Sequence, residues 1–528
     1  MGTLISALRV LSRLLFNPIC PSRQNYKHRN ARHVAFLLFS HLISGLFVVI
    51  STYAAEQSTV RSANYINWAV VIGCVIVGLF SLCVLLVSGC RGRLVVDPKV
   101  CNADSDPSLN LRVIFLWMFG MTVMLHLALN IAIYLECLQK YSLNLFYFAL
   151  SLLSNFAFMC FLIIQLSIIA YYRRNAFRNT LSHSIAVVFI LTANFAIWFN
   201  TTVSTINVFE MMENKTVPRY SNESFCFRTS KIQVELERKI EQFLTPARME
   251  FCILASSFII SLWTLPDVNR KDNMQDKDGD LNNSLAFDIQ SRGRFPPGPE
   301  NDSSRSLMLH SRNGVNNLVG SNIVSLVFGI ILNLPSFVSN ILLTFVFDWD
   351  SEKTAMSLYF SKCLGSVSII VVIYLCSYNL RKLNFSWSKD KMTVNDYILI
   401  ISSSGMVAYF MFGLLSPDLT LAFLSSRIFL IIETYLQTYF LIKMKRACVT
   451  FNSSMISATG VFLTISNLIY WFLNAYNQIT FVKGRILKLV EFEDWLYIEN
   501  VLVPLMTFYR FLSGMSAYSL YRRFKSHS

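Results

Sequence analysis

The sequence predicts an all-α polytopic membrane protein: twelve transmembrane helices in two six-helix halves that form a parallel internal repeat. Three observations carry that expectation. The 528-residue chain is 54% hydrophobic and only 15% charged, a balance too apolar for an ordinary soluble globule. Twelve apolar stretches of spanning length follow one another along it. Polar residues then recur at matching offsets in the first six and the last six of those stretches.

The stretches cover about 34–55, 66–89, 113–135, 145–171, 183–206, 243–265, 322–347, 356–378, 396–414, 419–443, 455–477 and 500–521. Their charged flanks set an orientation. Arg23, Lys27, Arg29 and Arg32 precede the first; Arg91 and Arg93 follow the second, Arg173 and Arg174 the fourth, and Arg381 and Lys382 the eighth. Lys443, Lys445 and Arg446 close the tenth, and Arg522, Arg523 and Lys525 the last. Basic clusters on alternate ends mark one side as cytoplasmic, so both termini are expected inside a multi-pass protein, with the plasma membrane as its site and endolysosomal membrane also open. The net charge of +15 therefore belongs to short loops beside apolar runs, and a nucleic-acid partner is not expected. The opposite side carries "FDWDSEK" (347–353) and the sequons at Asn214 and Asn222, expected to be glycosylated. Those at Asn282, Asn301, Asn384 and Asn452 would face inward, unused.

The organisation follows from these spans. Residues 1–32 form a cytoplasmic segment whose "MGTLISALRVLSRLLF" spaces apolar residues helically around Arg9 and Arg13, suited to lie on a membrane surface. Gly2 and Ser6 also fit a myristoylation pattern. Residues 33–265 hold the first six spans, 266–320 a polar, Gly- and Pro-containing cytoplasmic linker read as disordered, and 321–528 the last six spans with a short basic tail. "DKDGD" in the linker is no calcium loop, because Leu281 and Phe287 stand where such a loop needs Gly and Glu. Of the twelve cysteines, Cys137 and Cys226 are expected to face outward; a disulfide and a free pair are both open.

The repeat rests on three matches. Gln165 precedes Arg173 and Arg174 as Gln437 precedes Lys445 and Arg446, at the same offsets. Trp198 follows Asn194 by four residues, as Trp471 follows Asn467, and the Gln-to-Asn intervals are 29 and 30 residues. Aligning Pro246 with Pro504 pairs Glu250 with Phe508, Phe251 with Tyr509, and Ser261-Leu262-Trp263 with Ser519-Leu520-Tyr521. Because each half has an even number of spans, both enter and leave on one side, which makes the repeat parallel.

The repeated polar positions offer amides and a phenol without charge. At a rise of about 1.5 Å per residue, Gln437 stands roughly 12 Å and Tyr509 roughly 20 Å from the inner boundary, with Asn467 between. If spans ten to twelve are neighbours, these groups share a belt near mid-membrane. Such a belt orders a thread of water, but it supplies neither carboxylate rings for a hydrated metal ion nor a backbone filter. The simpler alternative is helix glue, worth on the order of 1 kcal/mol; recurrence in both halves argues for more. Glu250, Glu433, Arg427 and Arg510 are the charges inside spans, either functional or paired structurally. His41 and His126 are single and unrepeated, and read as packed or helix-bridging. No motif for hydrolysis, nucleotide binding or zinc ligation is present, so an enzyme, a metal site and a cofactor are not expected.

Four stretches resemble the otopetrin family. "FLTPARMEFCILASSFIISLW" resembles its sixth-span motif and "PLMTFYRFLS" its final-span motif, while "SNLIYWF" and "LQTYFLI" look like its Asn-Leu-x-x-Trp and Gln-Thr-x-Phe-Ile stretches. The resemblance implies a proton-selective, acid-sensing channel that carries protons into the cytosol. It also implies a homodimer whose four bundles surround a central space filled by membrane lipid, sterol included. By the same resemblance the polar constrictions fall on Gln165, Asn194 and Phe251 in the first half and on Gln437, Asn467 and Tyr509 in the second, with the motif Glu at Glu250 and the motif Arg at Arg510. Two departures stand out. Phe251 lacks the hydroxyl many members carry, which weakens the case for conduction by the first half, and Leu512 replaces a His, which implies an altered response to pH. A proton-coupled secondary transporter and a non-conducting receptor or scaffold are the rival readings.

Overall fold

A computed structural model describes residues 29–56, 61–95, 107–140, 145–175, 177–178, 180–213, 231–263, 320–340, 351–382, 392–414, 421–447, 454–477 and 495–525. Twelve helices carry nearly all of these described residues. The first six are α1 (Arg29–Glu56), α2 (Arg61–Cys90), α3 (Leu109–Lys140), α4 (Leu145–Tyr172), α5 (Leu181–Glu213) and α6 (Lys231–Trp263). After the linker come α7 (Gly320–Asn340), α8 (Ser351–Lys382), α9 (Val394–Gly413), α10 (Leu421–Met444), α11 (Ser454–Asn477) and α12 (Trp495–Lys525). No strand occurs among the described residues; a single antiparallel bridge, Val95 with Phe177, ties the segment after α2 to that after α4.

Nine of these helices contain a stretch long and apolar enough to cross a membrane, and α1 contributes a shorter one, Ala35–Ile50. That differs from the expectation of twelve apolar spans, for a physical reason. Within α10 stand Arg427, Glu433 and Lys443, and within α12 stands Arg510. Both helices still form, because Glu433 and Arg510 neutralise one another between them. The second difference is length. α6 starts twelve residues before the apolar stretch expected from 243, since Glu, Lys, Arg, Leu and Gln dominate that extension and favour helix without needing an apolar environment.

The helices pair in a regular way. In the first six, α5 lies against α1, α2 and α6; α4 lies against α2, α3 and α6; and α3 meets α6. In the last six, α11 lies against α8 and α12, α10 against α8, α9 and α12, and α9 meets α12. α7 joins α11 through Asn333 with Ser466, and α8 through Ser339 with Ser357. Each pairing in the first set has a counterpart six helices later. Where α11 and α12 approach most closely, Gly460 is required: a Cβ there would meet the backbone of Tyr521 at 3.0 Å and of Ala517 at 3.1 Å.

The two sets meet along α12, which touches α5 and α6, and through an aromatic seam. Phe115 and Phe119 of α3 stand edge-on to Trp471 of α11, at 5.7 and 5.8 Å, and to Phe511 of α12, at 5.1 and 6.2 Å. Such edge-to-face contacts add about 0.5–1.5 kcal/mol each beyond buried area. One continuous buried cluster runs through both sets.

Candidate functional site

α10 presents Glu433, Thr434, Gln437 and Thr438 on one face, by the i, i+4 spacing of a helix, and all four are buried. α12 answers with Tyr509 and Arg510, adjacent in sequence and therefore pointing to neighbouring faces. Arg510 grips Glu433 with both ends of its guanidinium, Nη1 donating to Oε1 at 2.5 Å and Nη2 to Oε2 at 3.0 Å. Ser366 of α8 donates to the same Oε2 at 3.0 Å. The guanidinium also lies over the Tyr470 ring of α11, 4.9 Å from its centroid. With Arg510 1% and Glu433 0% exposed, the pair is cut off from water. Its carboxylate is satisfied by three donors, which is the condition for a buried pair to persist.

Asn467 and Tyr509 are occupied internally. Asn467 accepts from Arg510 Nη1 at 3.3 Å and donates through Nδ2 to the Leu463 carbonyl at 2.7 Å. The Tyr509 hydroxyl donates to the Thr434 carbonyl at 3.1 Å and shares a 2.9 Å contact with the Thr438 hydroxyl. Gln437 differs: fully buried, neither its Oε1 nor its Nε2 has a hydrogen-bond partner. The structure thus brings Glu433, Asn467 and Arg510 into one bonded cluster, and Tyr509 onto α10 beside it. It makes no hydrogen bond between Tyr509 and either Gln437 or Asn467.

The first half holds its set differently. Gln165 of α4 and Asn194 of α5 are buried, and both polar atoms of each lack partners, as does Trp198 Nε1. On α6, Phe251 is fully buried and Glu250 is 3% exposed with Oε2 unpartnered. The offsets that match the glutamines and the prolines put Phe161 and Cys252 where the second half has Glu433 and Arg510. Both are buried and apolar in character, so no ion pair forms there.

A family model described as Otopetrin matches residues 202–511, more than half of the chain. The chain belongs to the otopetrin family. No curated protein matches it. Otopetrins are a family of proton channels, so this otopetrin is a membrane protein of channel lineage. The matched region takes in Glu250, Phe251, Glu433, Gln437, Asn467, Tyr509 and Arg510 and leaves Gln165 and Asn194 outside.

Other expected residues are placed as follows. Arg427 has no carboxylate partner among the described residues and lies within 5.3 Å of the rings of Tyr409, Phe410 and Phe423. His126 is buried and bonded to Asn130 at 3.1 Å, and His41 is exposed, bonded to the Leu37 carbonyl. Asn214, Asn222, Cys226, Gly2 and the linker lie outside the described residues, as does the side chain of Cys137. Sequence reasoning missed Ser366, Thr434, Thr438 and Tyr470. The threonines had a signal, since Thr434 and Thr438 share the helical face of Gln437 in "ETYLQT".

Proposed function

We propose that this otopetrin is a proton-selective channel that carries protons into the cytosol down their gradient when the outside is acid. One observation carries the reading. In each half a fully buried glutamine, Gln165 or Gln437, holds both amide atoms without a partner inside the membrane-spanning bundle. An unpartnered polar group there costs several kcal/mol, so each amide calls for water, and ordered water moves protons. No cluster of His, Cys, Asp and Glu able to hold a metal occurs among the described residues.

The architecture belongs to the same proposal: twelve spans, a parallel two-half repeat supported by the helix pairings, both termini in the cytosol of a plasma-membrane homodimer with lipid between the bundles. Gln437, Asn467 and Tyr509 line the second-half path, and Gln165 and Asn194 with Phe251 the first. Glu433 and Arg510 hold the second-half path in shape, and Glu250 is the ionisable group of the first. The test is whole-cell current at several external pH values with sodium and potassium replaced by a large impermeant cation. Inward current that grows with acid and reverses near the proton equilibrium potential is the expected result. Surface protein without such current overturns the reading.

A further inference from the structure

Apart from the glutamine and asparagine belt, the described residues of the second half contain another buried polar line. It begins where α7 ends and α8 begins. Ser357 is exposed there, and its hydroxyl meets that of Ser339, 6% exposed, at 3.1 Å. One turn deeper along α7 is Ser336, fully buried, whose Oγ has no hydrogen-bond partner, although the Tyr470 hydroxyl approaches it. Next comes Asn333, which spends Nδ2 on Ser466 at 3.0 Å and on the Gly329 carbonyl at 2.7 Å, while its Oδ1 has none. Tyr470 is 3% exposed and its hydroxyl is also unpartnered. The two converge on the open side of Gly365, where a Cβ would lie 1.7 Å from the Tyr470 hydroxyl and 3.5 Å from Asn333 Oδ1. One position further along α8, Ser366 reaches Glu433.

Helix glue explains only part of this line. Asn333 joins α7 to α11 through Nδ2, but its Oδ1 is left open, and Ser336 Oγ and the Tyr470 hydroxyl approach only one another, without a well-formed bond, in the same buried corner. Buried water characteristically occupies such a place, bonding two to four polar groups at once. The matched corner of the first half, between α1, α2 and α5, is apolar: Leu46, Ile50 and Ala196 pack with Ile43, Val70, Val71 and Cys74. Among the described residues, the polar corner is found in the second half alone.

We propose that α7, α8 and α11 enclose a file of water that runs from the Ser339–Ser357 mouth past Asn333 and Tyr470 to the Ser366–Glu433 contact. Resting on the channel reading, it is the route by which protons reach the carboxylate that holds Arg510. In that reading's orientation its mouth faces outward, and Gly365, having no side chain, leaves room for the Tyr470 hydroxyl.

The test is radiolytic hydroxyl-radical labelling of the full chain in lipid nanodiscs, read by mass spectrometry, with Phe462 of the same helix as internal control because it is as buried and has no polar group to hold water. Tyr470 is expected to be oxidised about ten times faster than Phe462, because water bound beside it is a source of the radical in place. In the Asn333→Leu and Ser336→Val double variant the excess should vanish. Equal rates for the two rings in the unaltered chain overturn the file, and an excess that survives the double variant overturns its placement. The readout needs no current. Fast Tyr470 labelling in a chain without acid-evoked current would keep the file and remove the channel reading, whereas current with slow labelling would do the reverse.

Discussion

The second half locks Asn467 and Tyr509 to their neighbours and leaves Gln437 open, whereas the first half leaves both Gln165 and Asn194 open. On α10, α11 and α12 a buried ion pair fixes Asn467, and two threonine contacts fix Tyr509. On α4, α5 and α6 the corresponding amides of Gln165 and Asn194 have no partner at all, and Glu250 keeps an unpartnered oxygen. The difference traces to two matched positions, Glu433 and Arg510 against Phe161 and Cys252. The internal charge pair satisfies the Asn467 carbonyl, for which the first half has no counterpart donor to Asn194.

The largest effect should come from breaking that pair on one side only. Arg510→Leu leaves Glu433 buried and unpaired and should cost about 3–5 kcal/mol of stability, read as a lowered unfolding temperature of the detergent-solubilised chain. Glu433→Phe with Arg510→Cys copies the first half's residues and should recover most of that loss; failure to recover would mean that the pair does more than neutralise itself. Gln437→Leu is next and has an unusual signature. It deletes two unpartnered polar atoms, so stability should hold or rise by about 1–3 kcal/mol while acid-evoked current falls. A parallel fall in both would reassign Gln437 to structure. Thr438→Val removes one partner of the Tyr509 hydroxyl, a loss of about 1 kcal/mol, and should change the current without changing surface expression. Phe251→Tyr is the smallest change: it adds a hydroxyl among open amides, and a raised current with the second half disabled by Gln437→Leu would show the first half to be one hydroxyl short of its counterpart.

Much of this was legible in sequence, unevenly. Gln165, Gln437, Asn194 and Asn467 were visible because they stand out in apolar runs, and the structure buries all four. Glu433 and Arg510 were visible as suspicious charges, but 77 residues separate them and nothing local says that they meet. The α7 and α8 serines were not visible, since a scattered Ser in an apolar run looks like compositional noise until two helices align it. The helical extension of α6 was missed because apolarity was used to find helices and the extension is polar.

The aromatic seam separates the two halves in another sense. Trp471 and Trp198 occupy matched places, yet Trp471 reaches across to Phe115 and Phe119, while Trp198 contacts Phe195 and Phe199 of its own helix. The matched tryptophans thus serve different surfaces, one turned to the other set of helices and one to its own. Expressed from separate genes, a first unit should find a second and never another copy of itself.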